Sequence, residues 1–277
     1  MTGAELIQDI NSCRLRPMQC ALWWLGQHGF VVKLGDTVLY VDPFLSDLAG
    51  RQVAPLLTPS QVTNARLVLG SHDHADHIDR PAWPVLAAGS PQAEFIVPEL
   101  VRERIVSALR LPSRRVIGLD EDRPAEVEGV KISAVPAAHE FLDTDPVTGL
   151  HPYLGFILEG NGFRLYHAGD CCLYEGLYER LHHRRFDLMI LPINGRDARR
   201  LRSDCIGNMT YQEAADLAGA MKPGAVIPAH YEMFAMNSAD ANDFADYLQV
   251  KYPHQRCLVP RHGQRVVLDA RPQQAAP

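Results

Sequence analysis

The residues 67–79, Leu-Val-Leu-Gly-Ser-His-Asp-His-Ala-Asp-His-Ile-Asp, constrain this chain more than any other stretch. Leu67, Val68 and Leu69 read as the end of a buried strand. His72, Asp73, His74, Asp76, His77 and Asp79 follow at once. A solvated polar loop is the plainer account of such a run. Buried imidazoles and carboxylates each need a polar partner, however, and one short loop cannot supply partners for all of them. Imidazole with carboxylate suits Zn, Mn or Fe. His72 and His74 are two apart and point to one side of extended backbone. A turn at Ala75 then lets Asp76 and His77 face a second ion. Asp79-Arg80-Pro81 reads as a helix start, with Asp as the cap and Pro in the first turn. The stretch completes neither ligand shell alone, so the fold must bring further strand ends to it.

Three later positions have the same form. His139 comes after the apolar run that ends at Val135-Pro136. Asp170 follows Arg164–His167 in Ala168-Gly169-Asp170, where the glycine permits a tight turn. His230 follows Val226-Ile227-Pro228-Ala229. A histidine at such a place is, taken singly, more often a hydrogen-bonded surface residue. Together the three supply two shells: His72, His74, His139 and Asp170 for one ion, and Asp76, His77, His230 and Asp170 for the other. Asp42, at the end of the run Thr37–Val41, either faces this site from behind or caps the next turn.

The pattern along the chain is strands first and helices later, given twice. Strands are expected at 20–25, 30–34, 37–41, 94–97, 116–118, 127–135, 153–158, 163–167, 186–191, 225–227, 257–259 and 265–268. Helices are expected at 80–88, 98–109, 174–181, 210–221 and 239–250, the fourth opened by a Thr210–Glu213 capping box. Residues 1–16 read as a short amphipathic helix or an N-terminal extension, and 270–277 as a frayed tail. No linker divides the halves. The expectation is therefore one domain over 1–277, of α/β (α+β) class, with two packed sheets and helices outside.

Composition sets outer limits. The net charge of -6 and pI near 6.0 argue against a general nucleic-acid surface. No apolar run is long enough to span a membrane, and the acidic N-terminus is unlike a signal peptide, so the expected compartment is the cytoplasm. The six cysteines form no C-x-x-C pair and fit reduced thiols.

The order H-x-H-x-D-H, a lone His, Gly-Asp and a last His resembles the metallo-β-lactamase superfamily over nearly the whole chain. That resemblance implies a four-layer αββα sandwich with the metal site at one edge. Five segments also look like the L-ascorbate-6-phosphate lactonase group: 23–30 (WWLGQHGF), 166–170 (YHAGD), 191–196 (LPINGR), 206–209 (IGNM) and 227–234 (IPAHYEMF). This narrower resemblance implies a cytosolic, often homo-oligomeric hydrolase that favours Mn²⁺ and opens the lactone of a phosphorylated sugar acid such as L-ascorbate 6-phosphate. One or two ions per chain, Mn²⁺ or Zn²⁺, are expected. Many superfamily members carry Thr or Ser after the Gly-Asp. Cys171 stands here instead, either as a soft extra ligand or as a buried thiol.

The expected chemistry is attack of a metal-activated hydroxide on an ester or lactone carbonyl, with Asp76 both ligand and catalytic proton acceptor. Asp73 and Asp79 either orient ligand histidines or cap the next helix. Asn194, Arg196, Asn208 and Tyr231 are the expected substrate contacts, with Arg196 a candidate for bidentate phosphate binding. Arg199, Arg200 and Arg202 lie close by, and a solvated basic face accounts for that run equally well. His28, Glu140 and Glu232 are placed near the pocket. No role is assigned to His167, His182, His183, His254 or His262. A bimetal phosphodiesterase is the alternative activity, and a non-catalytic metal-binding protein the third reading.

Overall fold

The computed structural model describes residues 2–272. The helix α1 (Gly3–Ser12) comes first. Thr2 and Glu5 close its N-terminus with a reciprocal capping box. Leu6 and Ile10 are buried, and Lys33 Nζ donates to the carbonyls of Ile10 and Cys13. Of the two readings of this segment, the amphipathic helix holds for Gly3–Ser12, which docks on the sheet.

Three antiparallel strands follow: β1 (Gln19–Gly26), β2 (Gly29–Leu34) and β3 (Thr37–Val41). The chain then crosses over to a parallel run of β4 (Leu67–Leu69), β5 (Glu94–Pro98) and β6 (Val116–Leu119), with α2 (Trp83–Gly89) and α3 (Arg102–Leu109) between them. The second half repeats this plan. The strands β7 (Ala125–Val127), β8 (Val130–Pro136), β9 (Leu154–Gly160) and β10 (Phe163–His167) are antiparallel. Parallel β11 (Leu188–Pro192) and β12 (Ala225–Ala229) then alternate with α4 (Leu177–His182), α5 (Ala198–Leu201), α6 (Tyr211–Met221) and α7 (Ala241–Lys251). The last strand, β13 (Arg265–Asp269), returns to pair with β1. The expected strand at 257–259 is corrected: only a single bridge from Cys257 to Val226 forms.

Seven strands in the order β13-β1-β2-β3-β4-β5-β6 make one sheet, and six in the order β12-β11-β10-β9-β8-β7 make the other. Leu22, Trp24, Phe30 and Val32 of the first pack with Phe156, Leu158, Leu165 and Ile190 of the second in one apolar cluster, which α4, α6 and α7 also join. A separate cluster sets Leu6, Ile10, Trp83, Leu86 and Ile105 of α1–α3 against Trp23, Val31, Tyr40 and Phe95 on the other face of the first sheet. The layers are therefore helix, sheet, sheet, helix, as expected. Both sheets are covered on both faces, which is why β1, β3 and β12 are buried throughout rather than alternately.

Candidate metal centre

The carboxyl ends of β4, β8, β10 and β12 meet at one edge of the sandwich. Loops leaving parallel strands at a common edge are where open α/β sheets place ligand groups. The two sheets are tied there by Leu154 N donating to Ser71 O (3.0 Å), and the loops after β8 and β10 by Cys172 N donating to Ala138 O (2.7 Å). His72, His74 and His139 bring one ring nitrogen each within 4.8 Å of one another, and a carboxylate oxygen of Asp76 and one ring nitrogen each of His77 and His230 meet within the same distance. His72, His77 and Asp170 form a third such group that bridges the first two. Asp170 Oδ2 lies 3.1 Å from His230 Nε2 and 3.9 Å from His139 Nε2, and its Oδ1 lies 3.3 Å from His77 Nε2. The seven expected ligand residues thus come together around two positions with Asp170 between them.

The donor set fits divalent ions. His77 Nδ1 donates to Asp42 Oδ2 at 2.7 Å, which leaves the Nε2 lone pair directed at Asp76 and Asp170. No protein hydrogen bond satisfies that buried Nε2. An orphaned buried nitrogen costs roughly 1–3 kcal/mol, and a cation removes the cost. Burial holds His72 well below the ordinary imidazole range and His139 at about 4, so both stay neutral, the form that ligates. Burial works to raise the Asp76 and Asp170 carboxyls, but the facing imidazoles of His77 and His230 prevail and hold both below their usual range. Two ionised, largely buried carboxylates are only partly offset by the charge they favour on the His77 imidazole, so the site calls for added positive charge.

Several residues support the ligands: Asp42 takes the first of its two expected places, behind the site, His28 lies near it as expected, and Gln27 had no signal in the sequence. Asp42 is fully buried and holds the whole first loop: besides His77, it accepts from Ser71 N (2.8 Å) and Ser71 Oγ (2.7 Å). Gln27, in the β1–β2 turn, donates through Nε2 to Asp76 Oδ2 at 2.8 Å, and its carbonyl accepts from His230 N at 2.8 Å. His28 Nδ1 lies 3.4 Å from Asp170 Oδ1. His167, expected to have no role, backs it: His167 Nε2 donates to His28 O at 2.9 Å and the rings sit 4.1 Å apart. Gln27, Asp42 and His230 all have positive φ, of 53°, 46° and 61°. Such backbone is uncommon outside glycine and clusters at functional sites.

Other expectations are corrected. Asp73 orients no histidine; it pairs with Arg80 and Arg104. Asp79 accepts from Leu45 N, Ser46 N, Ser46 Oγ and Ala82 N, so it fastens the loop after β3 and caps the next turn. Cys171 lies in the apolar core with its thiol pushed up to about 12 by burial, which is the buried-thiol outcome. Arg196 does not present a free fork, because its guanidinium is paired at both ends with Glu213 (2.7 and 2.8 Å). Asn194 and Asn208 are buried and bonded to each other, and Asn194 also to Asn237. Tyr231 is buried with its ring 4.7 Å from that of Trp24. Each of these four thus already has a protein partner.

The sandwich and the donor set together define a metal-dependent hydrolase of the metallo-β-lactamase superfamily. The chain belongs to the family described as the Beta-lactamase superfamily domain, whose pattern it matches over residues 37–231. It is similar to a UPF0173 metal-dependent hydrolase of Sulfurisphaera tokodaii, at 27% identity over 248 residues, covering 89% of this chain and 99% of that one. A UPF0173 metal-dependent hydrolase of Thermococcus onnurineus is 29% identical over 80% of this chain and 88% of its own length. Among solved structures, Igni18, described as a novel metallo hydrolase of Ignicoccus hospitalis, superposes with a TM-score of 0.72 at 21% identity, covering 91% of this chain and all of that one.

Proposed function

We propose that this protein hydrolyses an ester, adding water at its carbonyl carbon and breaking the acyl–oxygen bond, and in particular opens a lactone to the hydroxy acid. The observation that carries the reading is the position of Asp76. Its carboxylate lies 3.6 Å from His77 Nε2 and 3.7 Å from His230 Nε2, and the same residue lines the adjoining cavity. A group at that boundary meets both the ion and the substrate. Divalent ions bound here would lower the pKa of a water to about 7 and polarise a carbonyl oxygen. Gln27 fixes the Asp76 carboxylate, so its free oxygen lone pairs are oriented to accept a proton from the attacking water. Asp42 and His28 hold His77 and Asp170 in place, and Asp170 spans the two positions.

Mn²⁺ or Zn²⁺ suits this mixed nitrogen and oxygen set. A phosphorylated sugar acid, the substrate implied by the lactonase resemblance, has weaker support. Arg196 is engaged by Glu213, and Arg200 by the carbonyls of Asn194, Gly195 and Ser238. The reading is therefore lactone or ester opening, without a phosphate requirement.

The test is a panel of lactones, L-ascorbate 6-phosphate among them, assayed beside phosphodiesters with Mn²⁺ and with Zn²⁺. Lactone opening is expected. Chelation is expected to abolish it, and Asp76→Asn to lower kcat at least about 100-fold. Strong diester turnover with no lactone opening replaces this reading with the phosphodiesterase.

A further inference from the structure

The cavity beside Asp76 has a volume of about 440 Å³ and a hydrocarbon wall. Leu48, Ala75, Cys205, Phe234 and Met236 line it; Asp76 is the single charged residue of the lining, and Asn237 the other polar side chain. Asn237 is already bonded to Asn194. Leu48 and Met236 are 46% and 40% exposed. Large apolar side chains left in water at the edge of a catalytic centre mark a surface that something apolar covers.

The wall is built rather than incidental. Gln52 N donates to Met233 O at 2.8 Å, and Arg51 bridges to Phe234, which joins the loop after β3 to the loop after β12. The Arg51 guanidinium lies 4.5 Å from the centre of the Phe44 ring, and it donates to the carbonyls of Phe44 (3.0 Å), Ser46 (2.8 Å) and Val53 (2.6 Å). Phe44 in turn lies 6.3 Å, ring to ring, from Phe234. The Phe234 wall is thus held in place, and the Arg51 guanidinium behind Phe44 is engaged by backbone carbonyls. Among the described residues, no cation lines the cavity to receive a phosphate or a carboxylate of the substrate's distal end.

We propose that this cavity takes an uncharged, apolar substituent: an alkyl or aryl group carried by the ester or lactone whose carbonyl reaches the ions beside Asp76. The inference rests on the ester and lactone reading above and names the substrate class within it. A small molecule is favoured over a second copy of the chain because the cavity ends on a metal-ligating carboxylate, where a reacting group must arrive.

The experiment measures binding and turnover separately. Calorimetric titration of the Mn²⁺-loaded protein with acetate, butanoate, hexanoate and octanoate, as product mimics, reads the pocket without chemistry. Affinity is expected to rise about two- to fourfold per added methylene until the cavity is filled. Leu48→Ser and Met236→Ser, both at partly exposed positions that tolerate a polar side chain, are expected to narrow the octanoate-to-acetate affinity ratio. 3-Phosphoglycerate is expected to bind no tighter than acetate. A flat series, or 3-phosphoglycerate binding tighter than octanoate, overturns the proposal. So does octanoate binding that weakens as protein concentration rises, which assigns the wall to a second copy. Turnover of γ-butyrolactone through γ-decalactone tests the reaction itself. A binding gradient without any lactone or ester turnover retains the apolar pocket and rejects the hydrolytic reading. Turnover with a flat gradient does the reverse.

Discussion

At the scale of single residues, the ligands depend on neighbours that carry no charge-cluster signature. His77 illustrates this. Its Nε2 is available because Asp42 accepts the proton on Nδ1. Asp42→Ala removes that acceptor and leaves Ser71 without the carboxylate that it shares with His77. The ion held by Asp76 and His77 is expected to bind about 10- to 100-fold more weakly in this variant, measured by competition with a chromophoric chelator. Unchanged affinity at both positions would show that His77 is oriented without Asp42. Gln27→Leu is expected to act on the same ion through Asp76 and His230, with a smaller loss, since the Gln27 carbonyl still accepts from His230 N. The candidate ligands that the fold brings together were legible because histidine and aspartate at the ends of apolar runs have few packing roles. Gln27, Asp42 and His28 were only partly legible or not at all. Their importance lies in contacts across 29 to 203 positions of sequence and in positive-φ backbone that residue type does not announce. Asp73 misled for the opposite reason: it has ligand chemistry but faces Arg80 and Arg104, whereas Asp79 caps the next turn as its place before Arg80-Pro81 suggested, and also binds the Leu45–Ser46 amides.

At the scale of elements, the strand ends decide the geometry. The Gly169 turn after β10 sets Asp170 between the two ion positions. Gly169 has φ of +61°, and a Cβ there would meet Leu154 O at 2.4 Å and the Ser71 Cβ at 3.1 Å. Leu154 O belongs to β9, whose first residue also ties to Ser71 through its N–H, so the obstacle is backbone that cannot turn aside. Gly169→Ala is expected to destabilise the protein by about 3 kcal/mol, read as a fall in the thermal midpoint of roughly 6 °C or more, together with loss of the bridging carboxylate's position and so of metal retention. A variant with wild-type melting and metal content would show that the turn relaxes freely. Most elements were predictable from alternating runs, turn dipeptides and the Thr210–Glu213 cap, which forms as expected. The segment 257–259 was not, because three apolar residues suffice for a bridge to β12 but not for a ladder.

At the scale of the whole molecule, the active edge is a store of buried, uncharged imidazole that makes the metal-free fold sensitive to acid. Burial, partly opposed by Asp170, lowers His28 and His139 from 6.5 to about 4; burial lowers His167 to about 3. An unfolded chain protonates these groups near 6.5, whereas the folded chain resists until far lower pH. Between those values the unfolded state binds more protons, so stability falls as pH falls. The stabilisation is complete above about pH 6.5 and disappears through the range down to about 4. His77 opposes the trend: burial disfavours its charge, but Asp170, Asp76 and Asp42 prevail and raise it, so its contribution is present at low pH and lost as pH rises through its folded value. The three lowered groups lose about 2 kcal/mol each by pH 5, and His77, which acts in the opposite direction, offsets only a minor part of this, so stability falls between pH 7 and pH 5. Urea unfolding of chelator-treated protein at the two pH values measures it, and the midpoint is expected to drop at pH 5. Bound ions must be displaced before the ligand histidines can protonate, so loading with Mn²⁺ is expected to raise the midpoint at both pH values and to raise it less at pH 5, where protons compete for the same nitrogens. A metal-free midpoint that holds steady or rises on acidification would mean that the buried histidines are already protonated in the folded chain, and the neutral donor set inferred for the site would fall with it.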